Sequence, residues 1–356
     1  MTTQQSVDQA KTEAFLGKVL TDTSGMTTTI MASIGDRLGL FKQLAHGPAT
    51  SAQLATRADI NERYAREWLG AMASAGYVEY DPASERFTLP AEHMPVLAQE
   101  HGPIFFGGIH QMLAGMIGPL NQLIQAFQHG GGVPQSAYDH NMWEGLERYT
   151  AGWFENLLIP VWVPAMPEVQ ARLERGALLA DVGSGRGKAL IKLAQAFPRS
   201  RYVGYDIFEP TIAQATAQAQ AAGVADRVRF EHRDVSAGLP EQYDVITTFD
   251  VIHDAIDPRG LLRTIRQALR SDGRYVCLDI NCAERLEGNA GPLGSLFYGF
   301  SVLYCMTTSL SGHGEGLGTV GLPEGKLQEL SLEAGFSSVR RVPLENPFNN
   351  LYELQP

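Results

Sequence analysis

The sequence predicts an α/β fold, a doubly wound, Rossmann-like sheet of seven mostly parallel strands preceded by an all-helical, winged-helix N-terminal domain. Three observations carry that expectation. From Gly176 onward short apolar runs alternate with helix-like stretches, the pattern of a parallel sheet covered on both faces. A glycine-rich turn, Asp181-Val182-Gly183-Ser184-Gly185-Arg186-Gly187, joins the first of these runs to the first of these helices. Upstream, three helical segments are followed by two short β-like runs around a polar turn, which is the order of a winged helix.

In chain order, Ala14 to Leu40 spaces Phe15, Leu16, Val19, Leu20, Ile30, Met31, Ile34 and Leu38 helically, with a break expected at Ser24-Gly25. Gly39 to Pro90 reads as a helix, a helix capped by Ser51, a turn at Asp59-Ile60-Asn61, a longer helix to Ala75, and the runs Tyr77–Tyr80 and Arg86–Leu89. Residues 91–175, rich in Met, aromatic and Gly residues, read as a helical connector that walls an apolar pocket. The strands of the sheet are expected at Ala177–Val182, Arg201–Asp206, Val228–His232, Tyr243–Phe249 and Arg274–Ile280, with final extended segments near Val339 and Leu351. Helices lie between them at Lys188–Phe197, Glu209–Ala222 and Pro258–Arg270; a turn is expected at Ser271-Asp272-Gly273, and Glu324–Ala334 is the last helix. The expected domains are therefore 1–90, 91–175 and 176–356, the last carrying an insertion at 281–321.

With 356 residues the chain has room for a substantial core. A formal net charge of −11 argues against a broad nucleic-acid footprint or attraction to anionic lipid. Within the winged helix, Arg57, Arg63 and Arg66 are balanced by Asp59, Glu62 and Glu67, so no basic stripe faces phosphates. Cys277, Cys282 and Cys305 have no metal-ligand spacing and are odd in number, which fits buried thiols in a reducing compartment and no metal. Met1–Glu13 lacks a secretory pattern, and the longest apolar run, Leu293–Met306, is too short to span a bilayer. A cytoplasmic protein with a small-molecule partner is the expectation.

In an open α/β sheet the ligand sits beyond the carboxyl ends of the strands. Here those positions hold Asp181, Asp206, Asp234 and Asp250. Three glycines at alternate positions let the backbone lie flat against a ligand, and the free N–H groups of the following helix favour polar atoms. Four acids without a basic anchor suit a cationic, hydroxylated, amine-bearing ligand better than a pyrophosphate. S-adenosylmethionine has that character.

The glycine turn, Asp206, Asp234-Val235 and Phe249-Asp250 together resemble the class I S-adenosylmethionine-dependent methyltransferases over Gly176 to Ile280. Leu38-Gly39-Leu40-Phe41 and Tyr77-Val78-Glu79-Tyr80 resemble the winged-helix dimerisation domain of small-molecule O-methyltransferases. The resemblance implies S-adenosylmethionine as cofactor, a homodimer, and a small-molecule acceptor. It implies that Asp181 and the Gly183 carbonyl meet the methionine amino group, that Gly185 and Gly187 make room, that Asp206 binds the ribose hydroxyls, and that Asp234 beside Val235 accepts the adenine amine. Phe208 is a candidate to pack on the adenine, and Asp250 lies at the same rim.

His253, in Phe249-Asp250-Val251-Ile252-His253-Asp254, is the candidate base for deprotonating a hydroxyl, with Asp254 beside it. The family's tryptophan is replaced here by Ala255, and capping of the next helix is the other role open to the pair. Phe105, His110, Trp153, Tyr298 and His313 are the candidate acceptor-binding residues, the last two within an insertion whose composition suits a mobile cover. Methylation of nitrogen, sulfur or carbon stays open, as does a winged-helix regulator with S-adenosylmethionine as effector. His129-Gly130-Gly131-Gly132 does not signal a serine hydrolase, because no G-x-S-x-G elbow accompanies it. The glycine spacing also departs from the dinucleotide G-x-G-x-x-G of a nicotinamide dehydrogenase.

Overall fold

The computed structural model describes residues 7–356; Met1–Ser6, part of the polar N-terminus, lie outside the described residues. Contacts divide the chain into two compact units. The first runs as far as Gly115 and takes in His140–Gly152, and the second comprises Met116–Asp139 and Trp153–Pro356. The segment 91–175 is shared between them.

The first unit begins with one uninterrupted 29-residue helix, α1 (Gln9–Arg37). No break occurs at Ser24-Gly25. A glycine inside a helix costs only about 1 kcal/mol relative to alanine, and the hydroxyls of Thr21, Thr27 and Thr29 are satisfied within the helix by the carbonyls of Gly17, Ser24 and Gly25. Helices α2 (Leu40–Ala45), α3 (Ser51–Ala58) and α4 (Glu62–Ser74) follow. The cap of α3 is Thr50, one residue before the expected Ser51. Its hydroxyl accepts from the Gln53 N–H at 3.3 Å while the Gln53 side chain accepts from the Thr50 N–H at 3.0 Å. Strands β1 (Glu79–Asp81) and β2 (Arg86–Thr88) form the antiparallel wing. Leu40, Phe41, Leu54, Trp68, Leu69 and Met72 fill its core, with Phe41 edge-on to Trp68 at 5.1 Å. Further along, Arg148 bonds Asp36 at 2.6 Å and Glu100 at 2.7 Å. That answers the charge of Asp36, which is buried inside the unit.

The second unit is built on a seven-stranded sheet. Its strands are β3 (Leu178–Val182), β4 (Arg201–Asp206), β5 (Val228–His232), β6 (Tyr243–Phe249), β7 (Leu269–Ile280), β8 (Ser338–Val342) and β9 (Asn349–Gln355). The order is β5-β4-β3-β6-β7-β9-β8. The first five are mutually parallel, and β9 joins β7 and β8 antiparallel. The chain steps outward from β3 to β5 and then returns to the other side of β3. That reversal opens a crevice beyond the carboxyl ends of β3 and β6.

The expected turn at Ser271-Asp272-Gly273 lies inside β7. Pairing with β6 jumps from Tyr243↔Leu269 to Val245↔Arg274, so these residues form a bulge instead of a separate turn. The insertion holds a continuous helical stretch, Pro292–Ser311, with a π-helical segment at Ser301–Cys305. At 20 residues it is longer than the apolar run had suggested, and in length and hydropathy it matches a membrane span. Its burial pattern is that of a core helix: Phe297, Phe300, Tyr304 and Cys305 are buried together with the hydroxyl residues Ser301, Thr307 and Ser309.

Candidate active site

The glycine turn leaves β3 and enters the helix Lys188–Ala196. Gly183, Gly185 and Gly187 all adopt left-handed backbone, with φ of 75°, 51° and 78°, which side chains resist. The three differ in what a side chain would meet. A Cβ on Gly183 would lie 2.5 Å from Val251, and one on Gly187 would run into the Phe230 ring. One on Gly185 would meet nothing within 4 Å. Gly183 and Gly187 are therefore required by packing, while Gly185 borders open space, as a cradle for a ligand requires. Gly185→Ala is expected to fold, with a backbone penalty of about 1–2 kcal/mol, yet to lose donor binding. Gly183→Ala is expected to lower the melting temperature further, and thermal unfolding beside donor titration separates the two.

Asp206, at the end of β4, ties the cradle together. Its two carboxylate oxygens accept from Gly185 N–H and Phe208 N–H, each at 2.8 Å. Burial raises its pKa against the pull of those N–H groups. Asp181 is buried and accepts from the Thr247 hydroxyl at 2.6 Å across β3 and β6. Burial pushes its pKa up to about 7, so it is poised to become fully charged when a cation arrives. Asp234 is exposed, accepts from Ser236 N–H at 2.9 Å and caps the short turn that begins at Val235, which is buried. Phe208 stands at the N-cap of the helix Glu209–Ala221.

Across the crevice, Ile252–Asp254 form a short 3₁₀ turn after β6. His253 is 3% exposed, and its Nδ1 lies 2.7 Å from Oδ1 of Asp279, itself 1% exposed. Burial works against the charged imidazole, and the Asp279 carboxylate outweighs it, so the His253 pKa stands well above its ordinary value. The hydrogen-bonding partner of His253 is thus Asp279 and not the adjacent Asp254. Asp254 does not cap the following helix either; Asp257 does, accepting from Gly260 N–H at 2.7 Å. Asp254 still borders the site, with its pKa pushed up to about 6 by burial. Asp250 takes a left-handed φ of 56° and accepts from the Asn349 side chain at 2.6 Å. Burial, with Asp279 nearby, raises its pKa to about 8.

Asp279 escaped the sequence reading although it obeys the same rule as the others, lying at the carboxyl end of the apolar run in β7. Asn349 had no local signal: only the antiparallel return of β9 beside β7 brings it to this corner.

The five residues expected to bind the acceptor are distributed over both units. Phe105 and His110 belong to the first. Phe105 lies under the Arg148 guanidinium at 5.4 Å, and His110 is edge-on to Phe106 with its pKa driven down to about 4 by burial. In the second unit Trp153 stacks on Phe348 at 6.4 Å, Tyr298 is at the surface, and His313 is exposed with a φ of 60°. The insertion around His313 is hydrogen-bonded to the segment that carries His253. Gly318 N–H donates to the His253 carbonyl at 2.9 Å, Glu315 N–H to the Ile256 carbonyl at 3.1 Å, and the Ser309 hydroxyl to the Ala255 carbonyl at 2.9 Å.

Two family matches cover the two parts of this description. Residues 26–99 match the Rv2258c-like winged HTH domain, and residues 180–275 match a methyltransferase domain. The chain is 24% identical over 355 residues to the O-demethylpuromycin-O-methyltransferase of Streptomyces alboniger, spanning 95% of this chain and 89% of that one. Among solved structures it resembles mitomycin 7-O-methyltransferase, with a TM-score of 0.72 at 21% identity over 98% of this chain and 99% of the other. It also resembles human N-acetylserotonin methyltransferase, solved with S-adenosylmethionine, with a TM-score of 0.70 at 16% identity over 100% of this chain and 99% of that one. A glycine cradle at the crevice of a doubly wound sheet and a winged helix before it agree with both matches, and the chain is an S-adenosylmethionine-dependent methyltransferase of the class I fold with an N-terminal winged-helix domain.

Proposed function

We propose that the protein transfers a methyl group from S-adenosylmethionine to a hydroxyl of a small-molecule acceptor, with His253 as the general base. The observation that carries this reading is the buried His253–Asp279 pair beside the glycine cradle, whose Gly183 packs against Val251, two residues before His253. When bound, the donor supplies a methyl group activated on a sulfonium. Asp181 would answer its ammonium group, Asp206 its ribose hydroxyls and Asp234 its adenine amine, while the open face at Gly185 makes room. The fit rests on what the chain presents: a cradle open where a Cβ would meet nothing, and buried carboxylates in want of positive charge.

Asp279 holds Nδ1 of His253, which leaves Nε2 as the nitrogen that takes the acceptor's hydroxyl proton. The burial of both residues excludes water, so the proton moves between fixed partners. Incubation with donor labelled in the methyl group and a panel of small phenols, alcohols, amines and thiols tests the reading. Label in hydroxyl compounds supports it, and label confined to amines or thiols overturns it.

The winged helix serves association in this reading. Arg57 donates to the carbonyls of Gln43, Gly47 and Pro48, and Arg63 and Arg66 pair with Glu67 and Glu62, so the basic groups are spent within the domain. On α1, Phe15, Leu16, Leu20, Met26, Ile30 and Ile34 are exposed at helical spacing. An apolar stripe of this length fits a second copy of the chain. Light scattering is expected to give twice the 38.8 kDa chain mass, and Leu16→Glu with Leu20→Glu to return it to one.

A further inference from the structure

We propose that Cys305 is a positioning residue for the His253 base: its sulfur, carried by the helical insertion, stands within 4.8 Å of a ring nitrogen and adds to the support that Asp279 gives from the sheet. This rests on the reading of His253 as base and adds a group that the reaction chemistry does not itself demand.

A single hydrogen bond at Nδ1 fixes one ring nitrogen but leaves the plane free to tilt about that contact. A second contact from a different element removes the freedom. The groups facing His253 are Asp279 from β7, Asp250 and Asp254 from its own loop, Cys282 just after β7, and Cys305 from the insertion. The Cys305 sulfur, a carboxylate oxygen of Asp254 and a ring nitrogen of His253 all lie within 4.8 Å of one another. Cys305 and His253 are both buried.

The insertion is built to hold that sulfur in place. Cys305 ends the π-helical segment Ser301–Cys305, where the widened turn redirects side chains relative to a regular helix. The segment is braced on its far side by Tyr138, whose hydroxyl donates to the Leu303 carbonyl at 2.5 Å, and by Gln135, whose side chain donates to the Tyr304 hydroxyl at 3.0 Å. On the near side, Ser309, Glu315 and Gly318 are hydrogen-bonded to the backbone of Ala255, Ile256 and His253. A Cβ on Gly312 would lie 2.5 Å from Ile256, and one on Gly314 would lie 2.6 Å from its carbonyl oxygen, so the two segments touch backbone to backbone. The neighbouring Thr308 and Ser309 hydroxyls are spent on backbone carbonyls. The thiol stands close to the imidazole, and its presence favours the protonated ring.

The test reads His253 directly and needs no acceptor. Long-range ¹H–¹⁵N spectra of full-length, donor-loaded protein follow both ring nitrogens against pH in the wild type, Cys305→Ser, and Cys305→Val, which keeps apolar volume without the thiol. The expected result is a His253 titration midpoint lower in Cys305→Val, by up to about one pH unit, the upper scale of one polar interaction, with most of the shift recovered in Cys305→Ser. Identical His253 titrations in all three proteins overturn the proposal. Should Cys305→Val not fold, Cys305→Ser and Cys305→Ala are compared with the wild type by the same criterion. A His253 signal that follows Cys305 in a protein whose turnover survives His253→Ala would overturn the base reading and the positioning role with it, whereas an unresponsive signal overturns the positioning role alone.

Discussion

Asp206→Ala is expected to weaken S-adenosylmethionine binding by about 100-fold or more, taking roughly 1.5–3 kcal/mol for each charge-assisted hydrogen bond that the carboxylate makes. Two losses combine in that number. The ribose hydroxyls lose their charged acceptor, and the Gly185 and Phe208 N–H groups lose the brace that shapes the cradle. Asp206→Asn keeps an acceptor oxygen and loses the charge, so an intermediate affinity is expected. Calorimetric titration of the three proteins checks the order wild type, Asn, Ala. Unchanged affinity in Asp206→Ala would remove Asp206 from the donor site.

His253→Ala is expected to slow turnover on a hydroxyl acceptor by about 10²–10⁴-fold, the usual worth of a positioned general base, with donor affinity unchanged. The pH dependence carries a sign. Asp279 holds the His253 pKa well above its ordinary value, and only the neutral imidazole accepts a proton, so turnover should climb on the alkaline side. The limb belongs to the coupled pair. Stability runs the other way: the ion pair contributes fully below the unfolded imidazole pKa of about 6.5 and is lost as pH rises through the folded value. Asp279→Asn should shift the activity limb to lower pH and cut the rate, because the ring loses both its charge partner and its fixed tautomer. A pH–rate profile of each variant reads both effects, and an Asp279→Asn profile that matches the wild type would reassign the carboxylate to folding.

The sheet was legible because its strands end as the rules of parallel sheets require, and β4, β5 and β6 fall at their expected limits. The glycine turn and Asp206 were legible because spacing alone places them at the first strand-to-helix joint and at the end of the next strand. Asp279 was not legible as the partner of His253 because Asp254 sits next to His253 in sequence while Asp279 sits next to it in space. Cys305 and Asn349 were illegible for a deeper reason: one arrives through the folding of a 41-residue insertion and the other through an antiparallel strand that closes the sheet, and neither contact has a local periodicity. The expected break in α1 does not occur because glycine and serine mark turns only on average, and a 29-residue helix absorbs the modest cost of one internal glycine.

Calorimetric titration of the purified protein with S-adenosylmethionine and S-adenosylhomocysteine, with NAD as control, asks which ligand the glycine cradle takes. Saturable binding of the first two is expected, abolished or strongly weakened by Asp206→Ala, with no binding of NAD. Binding of NAD with neither of the other two would show that the cradle is not a methyl-donor site.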